Sequence, residues 1–495
     1  MLFNSYTFLF LFLPLTLAGF LVLSRLAERR WAEYWLILCS LVFYSWFDVR
    51  NTPIILGSVL FNYSCARSIA RLVNGGASRA ATLVFTGGVA VNIAVLCYYK
   101  YTDFFLCEVL GLFGLSFAPK GIELPLGISF FTFQQIIFLK DIRSRAVSDF
   151  TFTKYLFCVT FFPHLIAGPI IKYKNILTQL YSRAFFTFSP VYASAGVTWL
   201  LLGLFKKVLV ADSLAPYAGK AFGLAAQGGG LTPLDAWIGS LAYTFQIYFD
   251  FSGYSDMAIG LGLLFKIELP VNFNSPYKAT SIVDFWRRWH ITLSWFLREC
   301  IYIPLGGNRR GRAAQYANLM VTMLLGGMWH GAGWTFLIWG GMHGLGLVVT
   351  HAWTALRGDV TPSALGRIWR VAGTFAFVSL AWVPFRADGA AAMAVFYKSM
   401  FGLSPVSPAL PGFGLEVAAL LAACAAAAWF MPNTQEIMSR FQPCVEQYLS
   451  GRPAGRLQAA MTWRPGAAMA LLAAAVLVLI VVNLGNNTEF LYFQF

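Results

Sequence analysis

Apolar runs of membrane-crossing length follow one another along nearly the whole chain, separated by short polar breaks. A helix that spans a bilayer needs about 20 apolar residues, within a range of roughly 17–25. The runs that approach this are 5–23, 34–47, 53–70, 82–99, 122–139, 152–171, 192–211, 234–249, 254–266, 316–328, 334–350, 369–385, 412–431 and 466–484. Several are too short to cross alone, so the pattern predicts about eleven to thirteen crossings. One run is interrupted: Phe161-Phe-Pro163-His164-Leu-Ile-Ala-Gly168-Pro169 places two prolines and a glycine inside an apolar stretch. Irregular backbone at membrane depth is tolerated only where it is buried in protein or lines a wet cavity. The expectation is an all-α, polytopic and hollow protein.

Composition agrees. The 495 residues are 58% hydrophobic and 12% charged, whereas soluble domains carry about 25% charge. The 36 Lys and Arg against 21 Asp and Glu sit in short clusters between apolar runs. That is the positive-inside pattern, so nucleic acid is not implied. Arg25, Arg29 and Arg30 near one end, and Arg452, Arg456 and Arg464 near the other, read as cytoplasmic. The run from Leu9 to Leu23 has its positive charges after it, unlike a signal peptide. It reads as a retained first helix. Eight cysteines are scattered without a Cys-x-x-Cys pair, which indicates neither a zinc knuckle nor a disulfide framework. The expected organisation is one membrane domain over 1–495, with its chemistry in 284–350 and a far-side aromatic tail at 485–495.

The stretch from Asp284 to Arg312 differs from the rest. Apolar Phe285, Trp289, Leu293, Phe296 and Leu297 recur at helical spacing with arginines between them. Two readings stay open: a plain amphipathic helix at the interface, or the lining of a polar entrance. Aromatic residues beside arginines suit an anionic ligand. Trp286, Arg287 and Arg288 are the candidates there.

Two of the five histidines stand out, His290 in this stretch and His330 in Gly326-Gly-Met-Trp-His330-Gly-Ala-Gly-Trp334. A titratable group at membrane depth costs about 2–3 kcal/mol on insertion scales and is a functional candidate by default. A neutral imidazole there is a good general base, or it carries an acyl group itself. His164, His343 and His351 read instead as hydrogen-bonding struts. No His-x-x-x-His or His-Glu-x-x-His spacing occurs, so no metal is expected. Asp250 and Asp256 are further intramembrane acids. On the residues alone, an intramembrane enzyme and a transporter or flippase for a lipid-linked glycan, with these acids as relays, both remain open. A structural subunit of an export complex is the third.

The segments Phe285-Trp-Arg-Arg-Trp-His290-Ile-Thr-Leu-Ser-Trp-Phe, Tyr302-Ile-Pro-Leu-Gly-Gly-Asn308 and Met328-Trp-His330-Gly-Ala-Gly-Trp-Thr-Phe resemble the membrane-bound O-acyltransferase superfamily. More narrowly they are similar to its bacterial alginate O-acetylase branch. Trp339-Gly-Gly-Met-His343-Gly, Gly203-Leu-Phe-Lys-Lys207 and Asp250-Phe-Ser-Gly-Tyr-Ser-Asp256 extend the likeness over nearly the whole chain. The resemblance implies a ring of tilted helices around a central tunnel in a bacterial inner membrane. It implies His330 as the catalytic histidine and His290 as the second polar position. It further implies an acetyl-CoA or acyl-carrier thioester as donor and no prosthetic group. An extracellular polysaccharide such as alginate is the implied acceptor, served through a periplasmic acetyltransferase partner. Other acyl groups, D-alanyl among them, remain an alternative.

The tail Phe490-Leu-Tyr492-Phe-Gln-Phe495 contains one nucleophile, the Tyr492 hydroxyl. It resembles the terminal motif of the small partner protein in teichoic-acid D-alanylation, which implies a covalent acyl relay. An aromatic anchor at the membrane surface is the other reading.

Overall fold

A computed structural model describes residues 1–26, 28–358, 362–404, 408–441, 455–486 and 490–491. Among the described residues all regular structure is helical. Four helical stretches among the described residues are each long and apolar enough to cross a membrane: Phe8–Arg25, Ser78–Phe113, Pro190–Ala226 and Ala364–Arg386. Leu415–Phe430 and Ala467–Asn483 are shorter and apolar. The chain forms two compact units.

The first unit comprises Met1–Leu201, Tyr254–Pro270 and Phe441–Gln447. Its helices Thr52–Asn74, Ser78–Asp103 and Ile128–Arg143 share a buried amide cluster. Asn62 Nδ2 donates to Asn92 Oδ1 at 3.0 Å, and Asn92 Nδ2 returns a bond to Asn62 Oδ1 at 2.7 Å. In an apolar environment such side chains are tolerated because they satisfy one another. The interrupted run behaves as expected. The helix Phe152–Thr160 ends, Phe161 turns the chain, and Phe162–Leu165 begins again. Phe162 N–H is freed by the break and donates to Ser40 Oγ at 3.2 Å. Fully buried His164 accepts from the Gln134 amide through Nδ1 at 3.0 Å.

The second unit comprises Leu202–Gly253, Val271–Arg440 and Tyr448–Phe495. Its central feature is a hairpin of the helices Arg312–His330 and Trp334–Arg357. Glycines let the two backbones touch. A Cβ on Gly327 would strike the Phe336 carbonyl, and one on Gly340 would strike that of Met323. Residues 331–333 turn the hairpin, and His330 is the final residue before the turn.

Two expectations need correction. The runs 234–249 and 254–266 are one helix, Pro233–Leu264, of 32 residues. Asp250, Ser252, Ser255 and Asp256 lower the hydropathy between them, but all four are buried. The Asp284–Arg312 stretch is not one amphipathic helix. It breaks into Ile282–Trp286 and Ile291–Leu297, because His290 takes a left-handed conformation at φ 42° and ψ 55°. Its apolar positions Phe285, Trp289, Leu293, Phe296 and Leu297 are buried in protein, not set against lipid.

Candidate active site

The hairpin turn holds the His330 ring, 4% exposed, in an aromatic box. Trp329, Trp339 and Phe385 present their rings edge-to-face at centroid distances of 4.8, 4.9 and 5.0 Å. Trp339 is positioned from the opposite helix of the hairpin, so the glycine-to-backbone contacts set the size of the box. Phe336 lies directly over Gly331, where any side chain would displace it.

His290 is wholly buried and its tautomer is determined by its neighbours. The Thr292 backbone N–H donates to Asn272 Oδ1 at 3.2 Å, so that atom is an oxygen and not the amide nitrogen. The same oxygen accepts from Thr292 Oγ1 at 3.0 Å and lies 3.1 Å from His290 Nδ1. Nδ1 must therefore carry the proton, which leaves the lone pair of the neutral ring on Nε2. In this form Nε2 accepts a hydrogen bond and does not donate one. A left-handed non-glycine residue costs about 1–3 kcal/mol, and the Asn272 bonds help to hold it there. Replacing Asn272 with leucine is expected to remove an acceptor shared by three buried donors, costing on the order of 3 kcal/mol. A displaced ring should also lower turnover about 10²-fold. Thermal unfolding in detergent and steady-state assays would measure both, and Asn272→Asp, which keeps an oxygen acceptor, should recover part of each loss.

His343 has the opposite tautomer. Trp286 Nε1–H donates to its Nδ1 at 3.3 Å, which puts the proton on Nε2. The ring stacks against Phe285 and meets Trp339 at 4.9 Å.

Beside these rings an open cavity of about 560 Å³ is lined by Trp286, Arg287, Arg298, Tyr302, Asn308, Arg309, Gln315 and His351. Gly306 and Gly307, at φ 113° and 57°, shape its rim in a conformation that favours glycine. Of the entrance candidates, Trp286 and Arg287 line this cavity. Arg288 does not, because it donates to Asp284 at 2.7 Å and to the Asn274 carbonyl at 3.3 Å. Of the histidines read as struts, His164 and His343 make side-chain hydrogen bonds, while His351 faces the cavity.

From the cavity a continuous file of rings runs Trp286, His343, Trp339, His330, Trp329, His290, Phe251 and Phe490. Successive centroids are 4.7–6.2 Å apart. Its far end belongs to the tail, where Phe490 and Leu491 are buried. Tyr492 lies outside the described residues.

Sequence reasoning singled out Asp250 but neither Asn272 nor the pairing of Asp250 and Asp212 with Lys207 beside the tail. There Lys207 Nζ lies 2.7 Å from both Asp212 and Asp250. A usable signal was present for Lys207: Lys206-Lys207 interrupts an apolar run, and charge within such a run marks a site by default. Asn272 carried no comparable signal.

The model of the membrane-bound O-acyltransferase family matches residues 9–383. The peptidoglycan O-acetyltransferase of Helicobacter pylori is 41% identical over 436 residues, which cover 82% of this chain and 81% of that one. The probable alginate O-acetylase AlgI of Azotobacter vinelandii is 42% identical over 406 residues, covering 81% and 78% of the two chains. The teichoic acid D-alanyltransferase of Streptococcus thermophilus is 29% identical over 244 residues, covering 46% and 57%.

Proposed function

We propose, proceeding from the fact that the chain belongs to the membrane-bound O-acyltransferase family, that it exports acetyl groups for the O-acetylation of an extracellular or periplasmic polysaccharide. The chain is an acyltransferase and a multi-pass membrane protein. The finer assignment is to a bacterial inner membrane, with acetyl-CoA or a related cytoplasmic thioester as donor. The observation that carries it is the file of rings joining an arginine-lined cavity to the buried tail through both candidate histidines.

The donor binds in the cavity of Arg287, Arg298 and Arg309, whose guanidinium groups suit phosphate oxygens. Five arginines between positions 287 and 312 besides Arg288 assign this side to the cytoplasm by the positive-inside rule. His330 is the general base. It takes the proton of the Tyr492 hydroxyl as that oxygen attacks the thioester carbonyl. The C–S bond breaks, the thiolate recovers the proton, and the acetyl group rests on Tyr492 as a phenyl ester. A phenol of pKa about 10 is a good leaving group, so the ester remains active for onward transfer by a periplasmic acetyltransferase partner. His290, held by Asn272 at Nδ1 and packed against Trp329, shapes the tail side of the site and positions the acceptor.

The acetyl assignment rests on higher identity and coverage toward the O-acetylating relatives than toward the D-alanyl one. A transporter reading would use Asp250 as a proton relay. Asp250 is instead engaged by Lys207 and by the Leu491 backbone N–H, the contacts of a structural anchor.

Purified protein in vesicles given acetyl-CoA labelled in the acetyl group should release free thiol and acquire label. Absence of both with a folded preparation would defeat the proposal. Replacing Arg287 and Arg309 together with alanine should raise the donor KM about tenfold or more, as loss of charged hydrogen bonds does, with kcat little changed. Added salt should narrow that difference.

A further inference from the structure

Lys207 lies in a π-helical turn, Phe205–Ala211, and its side chain is 2% exposed. It is shared between two carboxylates, Asp212 at 2.7 Å and Asp250 at 2.7 Å. A buried lysine needs a counter-charge, and Asp212, five residues along the chain, already supplies one. The second carboxylate requires its own explanation. Lys207 faces Asp250 Oδ1, and the other oxygen, Oδ2, accepts the backbone N–H of Leu491 at 3.3 Å. Next to it Phe490 lies edge-on to Phe251 at 6.1 Å, and Phe251 meets His290 at 4.7 Å.

We propose that Asp250 is a positioning residue that grips the tail by its backbone at Leu491, and that acetyl transfer through the neighbouring Tyr492 depends on this grip. The proposal rests on the reading of Tyr492 as acyl carrier. A main-chain grip suits that task, because it leaves the side chains of the tail unconstrained by the anchor. Lys207 and Asp212 hold the Asp250 carboxylate in place, and the Pro233–Leu264 helix carries Asp250 and Phe251 side by side. One element thus contacts both the tail and His290.

Hydrogen–deuterium exchange of the full chain in nanodiscs reads the grip directly. In Asp250→Ala, tail amides from 484 onward should exchange about tenfold faster or more, the loss expected for a charged hydrogen bond. Peptides from Arg312–His330 should keep wild-type exchange, and polysaccharide acetylation should fall in parallel with the tail signal. Asp250→Asn keeps an oxygen acceptor and should lie between. Should Asp250→Ala loosen the whole protein, Leu491→Pro decides, since it deletes the donor and leaves the ion cluster intact. Wild-type exchange of the remaining tail amides in Leu491→Pro overturns the grip. Tyr492→Phe separates the two ideas: a protected tail with no transfer upholds both. A protected tail with normal transfer refutes the relay and, with it, the positioning role, while the anchoring contact stands.

Discussion

Replacing His330 with alanine is expected to slow acetyl transfer by about 10²–10⁴-fold, the usual contribution of a positioned acid–base group. The three rings that box the imidazole, Trp329, Trp339 and Phe385, take up no proton near neutral pH. None of them can replace it. The substitution should also cost some stability without unfolding the protein. His330 ends its helix, alanine is the best helix former, and the lost ring leaves a cavity worth about 2–4 kcal/mol by analogy with other large-to-small changes. Thiol release from acetyl-CoA, measured beside the unfolding midpoint, separates lost chemistry from lost structure. A folded His330→Ala protein that turns over normally would remove this histidine from the mechanism. If His290→Ala then proved the more damaging change, the base would be His290, whose Nε2 lone pair is available for that role.

Tyr492→Phe is the second large effect. The change removes one oxygen and keeps the aromatic ring, so an anchoring role would survive it. A relay would not, because phenylalanine offers no nucleophile. Acetylation of polysaccharide should drop to background while donor binding, read as protection of the protein by acetyl-CoA, stays intact. Mass spectrometry of the wild-type chain after exposure to donor should find an acetyl group on the tail, and the variant should lack it. Normal acetylation by Tyr492→Phe leaves only the anchor.

How much of this was legible beforehand depends on the range of the interaction concerned. The membrane class, the broken run at Pro163 and the choice of His330 all follow from local pattern, because hydropathy and glycine content act within a few residues. The split at His290 did not follow. Its left-handed backbone is supported by Asn272, 18 residues away, and spacing alone favours one continuous helix. The merging of 234–249 with 254–266 was hidden for a related reason. Buried Asp250 has Lys207 as its partner 43 positions upstream, and a hydropathy window sees only the charge. The arginine cluster is legible as a group, but which of its members face the cavity is not. Arg287 and Arg288 are adjacent in sequence, and only the fold turns one to the cavity and the other to Asp284.

The file of rings has a consequence for bioenergetics. Any protein that hands a group from one side of an energised membrane to the other risks short-circuiting the proton gradient. Protons cross membranes along connected water and polar groups, and between His343 and His330 stands the apolar indole of Trp339, 4.9 Å from each imidazole. That indole is therefore expected to act as electrical insulation between the two imidazoles. Opening the box by Trp339→Ala should be felt first as proton leakage in energised vesicles, where a dye sensitive to internal pH would register it without any donor present.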